Sequence, residues 1–379
     1  MEVYFTPIVS GIVVSLIIIY ILIIPIAIFQ YRKYDGIMVR RNIVLFSFIL
    51  YMITAWFMTL LPLPSFDAVA QMPDIEPNLK PFLFVETFLE RTNFSLADRS
   101  TWIPALKSSS FYTVAFNVLL TVPFGVYLRK YFKVSFWKTI LFGCLLSCFY
   151  EITQYTGIYG IYPKAYRYAD IDDVIVNTLG AGLGYAITPI ISRLLPSLEK
   201  EKKIYKLGER AGIIRRAVAL IVDFFIVNII YSISIFTIGL FLYFVLRINV
   251  EGELLQNLVR IFSYIIVFIL IPIIKDGNTF GMEILKIRLL DKDSNYPKKR
   301  QIITRNIILI LLWRYDEILD KFNITSNSSN ITLGINGILE LIFMVFFVVY
   351  IISIIMAGIK KKDLIIYDKI TKTKVIIEE

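Results

Sequence analysis

Eight apolar stretches, separated by shorter polar or charged segments, dominate the chain. Each has about the length that spans the hydrocarbon layer of a membrane, which takes roughly 20 residues. The stretches cover residues 6–29, 43–61, 111–128, 136–155, 173–191, 217–246, 259–274 and 335–359. This pattern predicts an all-α integral membrane protein, a polytopic bundle of eight transmembrane helices. Alternating residues at 284–290, followed by a turn-rich segment, add a small cytoplasmic β-hairpin.

Composition supports this fold class and excludes several kinds of site. Hydrophobic residues make up 57% of the 379 residues and charged residues 18%, whereas soluble chains have about 45–50% and about 25%. Histidine is absent, which rules out Ser-His and Cys-His catalysis and histidine-based metal sites. The two cysteines lie four residues apart in one apolar run. We therefore expect no cofactor and no bound metal.

The distribution of basic residues predicts the orientation in the membrane. Residues 32–41, 129–138 and 200–216 are rich in Lys and Arg, whereas 62–110 carries six acidic and four basic residues. Basic loops face the cytoplasm, so the N-terminus is expected outside. A cytoplasmic C-terminus then requires a ninth crossing or a re-entrant helix within 302–318. The net charge of +10 is explained by this topology and by anionic lipid, so no nucleic-acid partner is expected.

A basic stretch divides the chain into two predicted modules. Residues 1–196 form a five-helix membrane module, 197–210 a basic linker, and 211–379 a second membrane module.

Polar residues of the first module concentrate around the fourth and fifth predicted spans. Glu151 and Gln154 lie three residues apart and share a helix face. Asp173, Asn177 and two glycines form a stripe along the next span, and a Gly-x-x-x-Gly surface allows another helix to approach closely. The turn between the spans adds three charged residues, Arg167, Asp170 and Asp172.

This constellation has two interpretations. It is either a polar network that locks the two spans together or a ligand site open to the outer leaflet, suited to amines, sugars or headgroups. In both cases we expect Arg167 to pack against the acids of 170–173, since one guanidinium can bridge two carboxylates. We also expect Glu151 or Gln154 to lie near Asp173 or Asn177.

The motifs in this region closely resemble those of the VanZ-like family. Its pattern is Glu-x-x-Gln, then Arg-x-x-Asp-x-Asp-Asp, then Asn-Thr-Leu-Gly, all present in order between 151 and 180. The segments beginning at Asn78 and Asn117 resemble two further family motifs. The resemblance implies a multi-pass protein of the bacterial plasma membrane. It also implies lowered susceptibility to glycopeptide antibiotics, teicoplanin especially, which carries an acyl tail.

The second module resembles the RDD family, named for one arginine and two aspartates. The matching positions are Arg216, Asp223, Thr279, Gly281 and Asp368. Two interpretations stay open for these residues: an Arg–Asp pair that clamps a cytoplasmic hairpin under the helices, or an ion or proton path through Asp223.

Three functions follow from these observations. The first is a resistance protein that binds or excludes a lipidated glycopeptide at the outer leaflet, with the bilayer and a lipoglycopeptide or lipid-linked envelope component as partners. The second is an RDD-type transporter of ions or small solutes. The third is a membrane enzyme that uses Glu151, Asp170, Asp172 and Asp173 as acid/base groups or as ligands of a divalent metal ion, although no nucleophile is evident. The oligomeric state is not indicated by the sequence.

Overall fold

The computed structural model describes residues 2–198, 210–247, 252–322, 341–342, 344–355 and 365–378. Within these residues, seven helices are long and apolar enough to cross a membrane, and a single antiparallel strand pair accompanies them. The predicted fold class is therefore confirmed. Most of the 197–210 linker and parts of the 335–359 span lie outside the described residues.

The chain divides into two compact units. One comprises Met1–Leu22 and Met38–Glu201, and the other comprises Ile23–Ile37 and Lys202–Glu379. The helices from the N-terminus to residue 191 are α1 (Glu2–Tyr34), α2 (Val39–Leu60), α3 (Phe66–Gln71), α4 (Leu83–Thr92), α5 (Trp102–Leu106, preceded by a 3₁₀ turn at Arg99–Thr101), α6 (Ser109–Lys130), α7 (Phe136–Tyr155), α8 (Gly157–Gly160) and α9 (Ile171–Ile191).

Helix α9 packs closely against both α6 and α7 because small residues line its contacts. A side-chain carbon at Gly180 or Gly184 would overlap the backbone of α6 at Val118 or Val122. On the side of α7, a carbon at Gly143 would meet the Ala181 side chain at 2.7 Å. The Gly-x-x-x-Gly surface predicted for this span therefore accommodates α6, and the expected contact between the fourth and fifth spans is present as α7 against α9.

The second unit contains helices with local irregularities. Its elements after residue 210 are α10 (Ile213–Phe241, continued by a π-helical turn at Leu242–Leu246), α11 (Glu253–Ile265, followed by a π-helical turn at Ile266–Leu270), α12 (Ile271–Ile274), α13 (Phe280–Ile284), β1 (Ile287–Asp291), α14 (Lys299–Phe322), α15 (Met344–Ile355), α16 (Ile366–Thr371) and β2 (Thr373–Ile377). The proposed ninth crossing falls on α14, which is one continuous helix and is not among the seven candidate spans.

The two strands pair across a long stretch of sequence. β1 runs antiparallel to β2, with Ile287 opposite Ile377 and Asp291 opposite Thr373. The apolar residues of β1 alternate, so Ile287 and Leu289 are buried in the same core as Val375. Strand β1 therefore takes its partner from the C-terminal segment and not from a local hairpin.

Candidate functional site

The acidic cluster of the first unit lies at the beginning of α9. Asp170 caps this helix by accepting a hydrogen bond from the amide of Asp172 at 2.9 Å, as aspartate commonly does at a helix N-terminus. The same carboxylate oxygen accepts from the Asn78 side-chain amide at 2.8 Å. The Glu151 carboxylate accepts from the backbone amide of Asp170 at 2.9 Å. Residues from three distant segments therefore meet at this helix end.

Asp172 anchors the segment that leads into α4. Its two carboxylate oxygens accept hydrogen bonds from the backbone amides of Phe82 at 2.6 Å and Phe84 at 2.8 Å. The side chain is buried, and its charge also lies at the positive end of the α9 dipole. Hydrogen bonds to an ionised carboxylate are stronger than those between neutral groups. This carboxylate therefore fixes the start of α4 against α9.

Asp173 and Asn177 connect α9 to its two neighbours. Asn117 of α6 donates to the Asp173 carboxylate at 2.6 Å. Asn177 donates to the Ser147 hydroxyl of α7 at 2.8 Å, while its backbone carbonyl accepts from Thr121 of α6 at 2.7 Å. These bonds pair several polar groups among apolar helices, where an unpaired group is costly, although the side-chain oxygen of Asn177 stays without a hydrogen-bond partner among the described residues.

Arg167 does not form the predicted bridge. Among the described residues it has no ion pair within 4.0 Å of the acids at 170, 172 or 173. Its guanidinium instead donates to the carbonyl oxygen of Thr59 at 3.1 Å, which also accepts from Gln154 at 2.6 Å. The expectation was wrong because amide groups already hold the acids. Arg167 still acts electrostatically on Glu151 and Asp173.

Two carboxylate oxygens of this cluster accept no hydrogen bond from the described residues. Glu151 and Asp173 each keep one oxygen without a hydrogen-bond partner in the described part of the chain, and neither of these oxygens is sealed from the surface. Tyr168 lies beside them: burial raises the pKa of its phenol, and the negative charges of Asp170 and Asp173 raise it further. The cluster therefore presents acidic acceptors, a phenol and a guanidinium at one place.

An apolar groove adjoins this cluster through Phe84. The groove has a volume of about 420 Å³ and lies between α4, α5 and the start of α6. Its walls include Phe84, Phe88, Phe94, Leu96, Trp102 and Leu106. Phe84 therefore connects the two features: its backbone amide donates to Asp172, and its side chain lines the groove.

The predicted RDD residues form two separate contacts in the second unit. Arg216 donates to the Asp368 carboxylate at 2.6 Å, and both side chains are buried. Asp223 instead accepts from the Thr279 hydroxyl and from the Gly281 amide, each at 2.6 Å. A side-chain carbon at Gly281 would overlap the Ala219 carbonyl, which explains the glycine. The ion path through Asp223 stays a prediction.

Sequence reasoning missed Arg305 and Asn306 of α14. Arg305 is a second arginine that forms an ion pair with Asp368, with its Nε atom 3.5 Å from a carboxylate oxygen. Asn306 donates to the carbonyl oxygen of Phe268 at 2.6 Å, within the π-helical turn at Ile266–Leu270. A buried Arg-Asn pair in an otherwise apolar run was the available signal.

The enzyme alternative gains no support from the arrangement of the carboxylates. Across the described ranges, no group of three or more Asp, Glu or Cys side chains is placed to hold a metal ion together. The acids at 170, 172 and 173 instead bind three different donors.

Comparison with known families covers both units. Residues 48–192 match the VanZ/LLP1 family model, and residues 210–372 match the RDD family model. No curated protein and no solved structure matches the chain. Both resemblances deduced from the motifs are confirmed. The chain is therefore a multi-pass membrane protein that joins a VanZ-like segment to an RDD-family segment.

Proposed function

We propose that the first unit lowers susceptibility to lipidated glycopeptides of the teicoplanin type by binding the amphiphile at the outer leaflet of the plasma membrane. The observation that carries this proposal is the hydrogen bond that the Phe84 amide donates to the Asp172 carboxylate. It holds a polar cluster with free carboxylate oxygens next to an aromatic groove. An amphiphile needs both surfaces at once.

Each part of the proposed site matches one part of the ligand. The free oxygens of Glu151 and Asp173 accept hydrogen bonds from amine and hydroxyl groups, and their charge favours a cationic group. The groove contains large aromatic side chains against which an acyl chain can pack, and a chain that comes from water gains about 0.8 kcal/mol per methylene group on burial. Binding should therefore increase with the length of the acyl tail.

Drug susceptibility in a sensitive bacterial host tests the proposal. Expression of the full chain should raise the inhibitory concentration of teicoplanin more than that of vancomycin, which has no acyl tail. Glu151→Gln keeps the shape and one acceptor but removes the charge, so it should weaken the effect. Leu106→Gln places a polar group in the groove and should do the same. Ile103→Gln is the matched control, because this exposed residue of α5 does not line the groove.

Two results would contradict the proposal. Equal protection against acylated and unacylated glycopeptides would remove the role of the groove. Full teicoplanin protection in Glu151→Gln and Leu106→Gln, at normal abundance in the membrane, would show that the cluster and groove are structural only.

A further inference from the structure

A cavity in the second unit shares no lining residue with the proposed resistance site. It has a volume of about 470 Å³ and is bounded by α10, α14, α15 and neighbouring segments. This lies within the range of roughly 300–1,000 Å³ that is typical of small-molecule sites. Most of its walls are apolar, including Leu220, Leu309, Leu312, Phe347, Ile351 and Ile354.

One end of this cavity is polar, and its acceptors already have hydrogen-bond donors. The two oxygens of Asp223 accept from Thr279 and Gly281. The side-chain oxygen of Asn306 accepts from Arg305 at 3.3 Å, while its amide donates to a backbone carbonyl. Each of these oxygens therefore already accepts one hydrogen bond from the protein.

Arg305 is the cation at this end whose hydrogen-bonding capacity is incompletely satisfied. Its side chain is 4% exposed and lines the cavity. Its Nε atom has no hydrogen-bond partner among the described residues. The nearest carboxylate, Asp368, lies 3.5 Å away and is bound more closely by Arg216 at 2.6 Å. A buried guanidinium with so few hydrogen bonds is costly unless something else accepts from it.

We propose that this cavity binds a single-chain amphiphile with an anionic headgroup, such as a fatty acid or a lysophospholipid. The carboxylate or phosphate accepts hydrogen bonds from Arg305, because guanidinium groups pair well with these anions. The acyl chain lies along the leucine, isoleucine and phenylalanine side chains of α14 and α15. A ligand bound in this way contacts α14 and α15, and through Arg305 it is adjacent to the Arg216–Asp368 pair.

Equilibrium binding to the full chain in nanodiscs of neutral phosphatidylcholine tests this inference. The probes are oleate and oleoyl-lysophosphatidylglycerol as anions, monoolein as the neutral analogue, and oleylamine as the cation. We expect one saturable site that prefers an anion by at least ten-fold over monoolein, with oleylamine weaker still. Comparison of the two anions distinguishes a carboxylate from a phosphate headgroup.

Variants separate headgroup recognition from folding. Arg305→Gln should weaken oleate binding at least ten-fold, whereas Arg305→Lys should retain most of it. Ile351→Trp fills the cavity without touching the ionic residues and should also weaken binding, which covers the case in which Arg305→Gln fails to fold. Arg288→Gln is the matched control, since Arg288 pairs with Glu378 outside this cavity.

Several outcomes would overturn the inference. These are equal affinity for oleate and monoolein, tighter binding of oleylamine, no saturable binding, or wild-type affinity in folded Arg305→Gln or Ile351→Trp. None of them affects the resistance proposal, because susceptibility to teicoplanin is measured on variants of the first unit.

Discussion

Replacement of Asp368 by asparagine tests whether the buried charges of the second unit stabilise its fold. Asp368 is fully buried and lies between two arginines, at 2.6 Å from Arg216 and 3.5 Å from Arg305. Asparagine preserves the shape but removes the negative charge. It also turns one acceptor into an NH₂ donor, which then faces the N–H groups of an arginine. Two buried cations thus lose their shared counter-charge.

The expected loss of stability follows from this geometry. Removal of one partner from a buried ion pair typically costs about 3–5 kcal/mol. For a unit of this size, 1 kcal/mol shifts the melting temperature by about 2–4 °C, so we expect a decrease of about 6–20 °C. Both arginines are affected, which favours the upper part of this range.

Thermal unfolding of the purified protein in detergent measures this decrease. Asp293→Asn is the matched control: Asp293 is exposed, and its contact with Lys292 is 3.9 Å long, so it should change stability by less than about 1 kcal/mol. The double variant Asp368→Asn with Arg305→Gln should recover part of the loss, because it removes one uncompensated cation. A melting temperature of Asp368→Asn equal to that of the control would refute the reasoning.

Two further predictions concern the first unit. Gly184→Val should sharply reduce the yield of folded protein, because the new side chain would overlap the backbone at Val122. Gly239→Val is the control and should have little effect, since nothing lies within 4 Å of that position. The amount of folded protein that elutes from size-exclusion chromatography in detergent measures both. Asp172→Asn should make the backbone around Phe84 more accessible to limited proteolysis and reduce teicoplanin protection, and an unchanged cleavage pattern would contradict the anchoring role.

The sequence by itself determined the membrane fold and the two families. Spans were recognised because apolar runs of sufficient length have few alternatives in water. An Arg–Asp pair in the second unit could be expected, since buried charges in an apolar setting need partners of opposite sign, but only the structure shows that Arg216 pairs with Asp368. The meeting of Glu151 with the start of α9 followed from polar residues at adjoining ends of two consecutive spans.

Tertiary structure decided which partner each polar group and each strand received. Arg167 was the obvious partner for the acids by charge, yet Asp172 is held by the backbone amides of Phe82 and Phe84. Backbone amides are present at almost every residue, so residue type cannot indicate which of them turn towards a carboxylate. Strand β1 likewise pairs with β2 from the end of the chain, because packing of the intervening helices brings that segment alongside it. The longer contact of Arg305 with Asp368 has the same origin, since only the folded structure determines that Arg216 lies closer to this carboxylate.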